Sequence, residues 1–179
     1  MDANVVLLDS AEHFEKMTSR NRYRIAGANN SILLSVPLAD GRNQHVTMRD
    51  VRIHNDGRWQ IQHWRAIVST YKRSPYFDHY EDSLKLLFET SYDHLIDLNK
   101  AALQWVKRAL RLRFELQETE VYTKAYATDI LDLRNANEQS ATVPKYYQVF
   151  EDRIGFLPDL SILDLLFMEG PATVAKLRG

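Results

Sequence analysis
The chain has 179 residues, with 45% apolar and 26% charged side chains and a formal net charge of -1, which is ordinary for a globular domain and excludes wholesale disorder. The balanced charge gives no global pull toward nucleic acid or an anionic membrane, and the absence of cysteine rules out a disulfide framework, a thiolate nucleophile and a cysteine-ligated zinc. No run approaches the roughly 20 apolar residues of a membrane span.

Asp2 stands where a signal peptide would carry positive charge, and the only early apolar run is Val5–Leu8. A single domain over residues 1–179, in the cytoplasm, is therefore the expectation. Val5–Leu8 reads as a short buried strand, parallel or central in its sheet. Asp9 closes it, either bordering a ligand crevice at the strand's carboxyl end or capping the next segment.

The polar cluster Arg20–Arg24 opens a predicted strand from Asn21 to Ile25, with another from Ile32 to Leu38. Gly27, Asn29 and Asn30 between them favour a hairpin turn. Alternation puts Arg22 and Arg24 on one face and Asn21, Tyr23 and Ile25 on the other. Adjacent arginines repel unless an anion or carboxylates lie opposite, so this is either an anion site for a phosphate or carboxylate or a solvated face paired with acids such as Glu12 or Glu15.

Ala39 to Gln44 reads as a loop and Val46 to Ile53 as a further strand, after which Asp56 is placed to cap a helix from Arg58 to Lys72. Its core stripe would be Ile61, Trp64, Val68 and Tyr71. That leaves Trp59 and His63 one turn apart, off the core face, where they either pack under a loop or line a pocket with His63 moving a proton. Ser74 and Pro75 start the next helix, whose stripe of Tyr76, Phe77, Tyr80, Leu84, Leu87 and Phe88 reads as core. Asp93 is placed to cap a helix from about His94 to Leu112 with a basic outer face. Val121 to Tyr126 suggests a strand, and the polar stretch from Asp129 to Thr142 a mobile loop. Gly155 to Pro158 makes a turn, and Asp159 or Ser161 caps a deeply buried helix that stops at Gly170. Asp164 inside it needs a partner, either an arginine or a ligand.

The fold these elements define is α/β or α+β, a small mixed sheet from the N-terminal third against a mainly helical remainder. Dinucleotide, P-loop, nucleophile-elbow and zinc-protease motifs are absent, and the six histidines include no i, i+4 pair. Neither a metal nor a cofactor is expected.

The segments FEKMTSRNRYRI, LLSVPL, WQIQHWRAI, SPYF, DLN and GFLPDLSILDLLFMEGP occur in this order and resemble the WbqC-like family of bacterial proteins, over roughly Leu7 to Leu177. The resemblance implies a role in surface polysaccharide (O-antigen) biosynthesis, including modification of a sugar, without fixing a reaction. Members usually begin with a further strand and helix, carrying a His/Gln-Pro or Tyr-Phe-Pro element, ahead of the part matching Val5 to Asp9. This chain lacks it, so Met1 is either an internal methionine or the start of a shortened member.

Two functions compete. The first is a transferase acting on a nucleotide-sugar or similar anionic metabolite, in its most specific form moving an acyl or aminoacyl group to an amino sugar. Asn21, Arg22 and Arg24 would bind the anion, His63 and Asp9 would serve as catalytic groups, and Trp59 or Tyr76 would stack on a ring. The second is a non-catalytic protein of a polysaccharide-synthesis complex. Convergence of Arg22, Arg24 and His63 in one pocket would favour the first. RNA binding through Arg20–Arg24 and the Arg108 to Arg113 end is a third and weaker reading, and self-association is left open.

Overall fold
The structure, a computed structural model, describes residues 4–39, 46–127, 129–134 and 144–178. The expected mixed α/β class is what is found, with the strands in two small sheets. β1 (Val5–Leu8) runs parallel to β4 (Glu115–Glu118), with Val5 opposite Glu115. β2 (Arg22–Ile25) and β3 (Ile32–Ser35) form an antiparallel hairpin with Arg22 opposite Ser35.

β1 is parallel as expected but not buried on both faces. Val5 and Leu7 point outward at 42% and 38% exposure, while Leu8 packs inward on a core of Phe14, Val36, Val51 and Leu95. Its partner is Glu115–Glu118 rather than Val121 to Tyr126. The edge of β1 selects it, through Glu115 N–H to the Asn4 carbonyl at 2.9 Å and Thr119 N–H to the Leu8 carbonyl at 3.1 Å. The stretch from Val46 to Ile53 is not a strand either. Met48–Asp50 coils into a 3-10 turn, and Ile53 and Arg52 make only single bridges, to Leu38 and His94.

Three helices follow: α1 (Trp59–Tyr71), α2 (Phe77–Glu89) and α3 (Leu95–Ala109). On α1 the buried stripe is Trp59, His63, Ile67, Thr70 and Tyr71, turned by about 100°, one residue position, from the expected one. Ile61 is out in solvent, and Trp59 and His63 face the core. Phe77, Tyr80 and Leu84 bury most of the expected face of α2, whereas Tyr76, expected in that stripe, sits ahead of the helix at 37% exposure, and Trp105 anchors α3.

None of the three expected caps closes its helix. The cap positions are Arg58, Tyr76 and His94, without side-chain cap bonds, because neighbouring contacts set each start instead. Asn55 ties Trp59 Nε1 to the Tyr92 carbonyl. The Tyr76 amide bonds to the Phe167 carbonyl, and the Asp93 carbonyl accepts from Ile53 N–H.

A short helix α4 (Glu151–Ile154) precedes α5 (Ile162–Glu169) and α6 (Thr173–Arg178). Ser161 caps α5, accepting from Leu163 N–H, and Gly170 ends it. Gly170 sits at φ +52°, ψ -123°, a region open to glycine but not to other residues. A Cβ there would run into the ring of Tyr76.

Asp164 is fully buried in α5, and its partners are tyrosines rather than an arginine or a ligand. Tyr71 Oη donates to Oδ1 at 2.7 Å and Tyr146 Oη to Oδ2 at 2.8 Å. Tyr71 Oη also accepts from Ala26 N–H, and Tyr146 Oη from Gln148 Nε2. One network thus ties the hairpin, α1, α5 and the segment around Gln148. Burial pushes the Asp164 carboxyl above its usual range, and the two tyrosine bonds oppose that.

The polar loop anticipated from Asp129 to Thr142 is described only in part: Asn135, Asn137, Gln139 and Ser140 lie outside the described residues, as do residues 40–44 of the Ala39 to Gln44 loop.

Candidate functional site
The hairpin follows the alternation of its sequence. Tyr23 and Ile25 turn inward and, with Leu34, join the core of α1, α2, α3 and α5. Arg22 and Arg24 turn outward, about 7 Å apart along the strand. They line an open groove of about 310 Å³ with Thr18, Ser19, Leu33, Asp159 and Ser161.

Arg22 Nε donates to the Thr18 carbonyl at 3.3 Å and Arg24 reaches Ser31 Oγ at 3.4 Å. Among the described residues neither meets a carboxylate. The acids that sequence offered them pair with Arg20, which forks onto both oxygens of Glu12 at 2.8 and 2.7 Å and also reaches Glu15. The cap of α5, Ser161, is also on this groove, and its N–H donates to the Arg24 carbonyl at 2.7 Å. The groove's own carboxylate is Asp159, at φ +60°.

Behind the hairpin is an inner pocket of about 220 Å³ between β2, α1, α2, α3 and the start of α5. His63 lies in its wall, 4% exposed, with Nδ1 3.1 Å from Tyr23 Oη and its ring edge-on to Trp59. Burial holds the imidazole at about 4 against the usual 6.5, a backbone bond to Ser35 opposing, so His63 is neutral at pH 7. Burial that disfavours the imidazolium makes it a weak base there and leaves it no proton to donate as an acid at neutral pH. Burial also raises the Tyr23 hydroxyl above its ordinary value.

Convergence of the expected site residues is therefore partial. Arg22 and Tyr23 border both recesses, Arg24 only the outer groove, and Asn21, Trp59 and His63 only the inner pocket. Tyr76 borders neither; its ring covers Gly170. Asp9 also stands apart, in the arrangement of the capping alternative. Its Oδ1 accepts from the amides of Ala11 and Glu12 and from Thr119 Oγ1, and its Oδ2 pairs with Arg134 at 2.8 Å. Ser19, Phe88, Asn99 and Trp105 also line the recesses; they come from three separate segments, the approach to β2, α2 and α3, and share no local signal. Among the described residues no group of three or more His, Asp or Glu could hold a metal ion, and no helix is long and apolar enough to cross a membrane.

The fold is thus a mixed α/β domain whose hairpin carries two arginines without a carboxylate partner among the described residues on one face and a buried histidine behind the other. The chain matches the model of the WbqC-like protein family over residues 1–142 and belongs to that family. Asp159, Ser161 and Asp164 lie beyond the matched stretch. No solved structure matches the chain.

Proposed function
We propose that this protein is an enzyme of bacterial surface polysaccharide assembly that binds a nucleotide-sugar or a similar anionic metabolite in the outer groove. The observation that carries the reading is the pair Arg22 and Arg24, on one strand face, lining a groove of about 310 Å³ with no carboxylate on either among the described residues. Planar guanidinium forks suit phosphate oxygens. The hydroxyls of Thr18, Ser19 and Ser161 and the carboxylate of Asp159 suit sugar hydroxyls. Transfer of an acyl or aminoacyl group to an amino sugar remains the most specific form. His63 borders only the inner pocket, with Nδ1 3.1 Å from Tyr23 Oη, so its part would be to hold Tyr23 where the two recesses meet.

The test is thermal shift of the protein with UDP-, GDP- and dTDP-sugars, repeated on the Arg22→Ala plus Arg24→Ala double variant. A ligand at about 100 times its dissociation constant adds roughly 2.7 kcal/mol. A rise in melting temperature that the double variant lacks supports the reading, and no rise with any donor removes it.

A second reading, a non-catalytic partner in a synthesis complex, draws on the segment after β4. Val121 and Leu131 stand 75% and 71% exposed there, with Leu133 at 65%, more apolar surface than a lone domain needs to show. Val121→Ser with Leu131→Ser would then abolish assembly without altering ligand binding.

A further inference from the structure
The inner pocket is not accounted for by anion binding. Its walls are largely hydrocarbon and aromatic, from Trp59, Leu84, Leu87, Phe88, Leu98 and Trp105. Packed interiors leave few voids larger than a water molecule, so a recess of about 220 Å³ is a shaped space.

Most of the polar groups deep in the walls are already engaged with the protein, and the serines, Ser19 and Ser161, stand at the end shared with the arginine groove. Asn21 Nδ2 donates to the Val36 carbonyl and Asn99 Nδ2 to the Arg20 carbonyl, both at 3.0 Å. Trp105 Nε1 donates to Ser83 Oγ at 3.1 Å and Trp59 Nε1 to Asn55 Oδ1 at 3.4 Å. Tyr23 Oη and His63 Nδ1 occupy each other. A nucleobase placed deep in it would find few partners for its donors and acceptors, a costly outcome on burial. A hydrocarbon chain needs none.

The pocket also shares Ser19, Arg22, Tyr23 and Ser161 with the arginine groove, so whatever fills it begins beside the anion site. We infer that the inner pocket holds the apolar chain of a phosphate-bearing amphiphile whose anion rests on Arg22 and Arg24. This deepens the proposed function and rests on it for the anion. An apolar cavity of about 150 Å³ accepts a benzene molecule, so about 220 Å³ fits a chain of roughly eight carbons.

The probes are alkyl phosphates from methyl to dodecyl, with Trp59 and Trp105 in the walls supplying a fluorescence signal. The dissociation constant should fall about fourfold per added methylene up to the length that fills the pocket, and then level off. Ala102→Phe, which fills the pocket from α3, should bring the plateau to shorter chains and leave methyl phosphate binding unchanged; Leu87→Phe does the same from α2 if the first variant folds poorly. Equal affinity for methyl and octyl phosphate, with binding lost in the double arginine variant, overturns the chain pocket and keeps the anion site. If no phosphate binds, a hexanol series tests the pocket alone. Binding of hexanol that Ala102→Phe removes keeps the pocket and overturns the anion site, and no binding of either overturns both.

Discussion

Tyr71 is the side chain on which the buried network turns, and its hydroxyl is removed cleanly by Tyr71→Phe. That hydroxyl accepts from Ala26 N–H at 3.0 Å and donates to Asp164 Oδ1 at 2.7 Å, with Tyr71 and Asp164 both at 0% exposure. An orphaned buried N–H costs about 1–3 kcal/mol, and a lost bond to a carboxylate about 1.5–3 kcal/mol. The sum is on the order of 3–5 kcal/mol, a large part of a typical domain's 5–15 kcal/mol. At about 2–4 °C per kcal/mol for a chain of this size, the melting temperature should fall by roughly 10 °C.

The loss should depend on pH. Burial raises the Asp164 carboxyl and the tyrosine bonds hold it down, so removing one bond lets it rise further. An acid whose folded value lies above its unfolded one costs stability as pH climbs from the unfolded value to the folded one, and nothing below both. The Tyr71→Phe penalty should therefore be greatest at neutral pH and shrink toward pH 4. Urea unfolding of wild type and variant across pH 4–8 measures it. A penalty under about 1 kcal/mol at pH 7, or one that grows on acidification, would refute the network.

Three further outcomes are expected. His63 has a folded value of about 4 against 6.5, so its contribution is complete above pH 6.5 and lost as pH falls toward 4, amounting to about 3 kcal/mol; His63→Phe should flatten that limb of the stability–pH curve, and a curve unchanged from wild type would show that His63 is not held neutral. Gly170→Ala should cost more than about 2 kcal/mol, from its positive φ and the Tyr76 ring, with part of the loss recovered by Tyr76→Ala in chemical denaturation. Arg20→Ala, which strands the half-buried Glu12, should lose about 1–3 kcal/mol, whereas Arg22→Ala with Arg24→Ala should stay within about 1 kcal/mol. Equal losses would show that the groove arginines are structural.

The hairpin and its two faces were legible because period-two alternation and a Gly/Asn turn are local signals. So was the outward pairing of Arg22 with Arg24. Most of the stripe of α2 could be read for the same reason at period 3.6. On α1 the apolar residues lie almost all round, so periodicity alone could not choose between Ile61 and Trp59 as the buried side, and tertiary contacts with Phe88 and Tyr23 decided it. The strand Glu115–Glu118 has little β-propensity of its own and exists through the edge of β1. Asp9 and Arg134 lie 125 residues apart, and their pairing has no local signature. The inner pocket is built from five elements far apart in sequence and could be found only in three dimensions.

Calorimetric titration of pyrophosphate into wild type and the Arg22→Ala plus Arg24→Ala variant, at low and high salt, bears most directly on the anion groove. Saturable binding that weakens with salt and is absent in the folded variant is the expected result. Equal binding by both proteins, or none by wild type, would contradict an anion site on this hairpin.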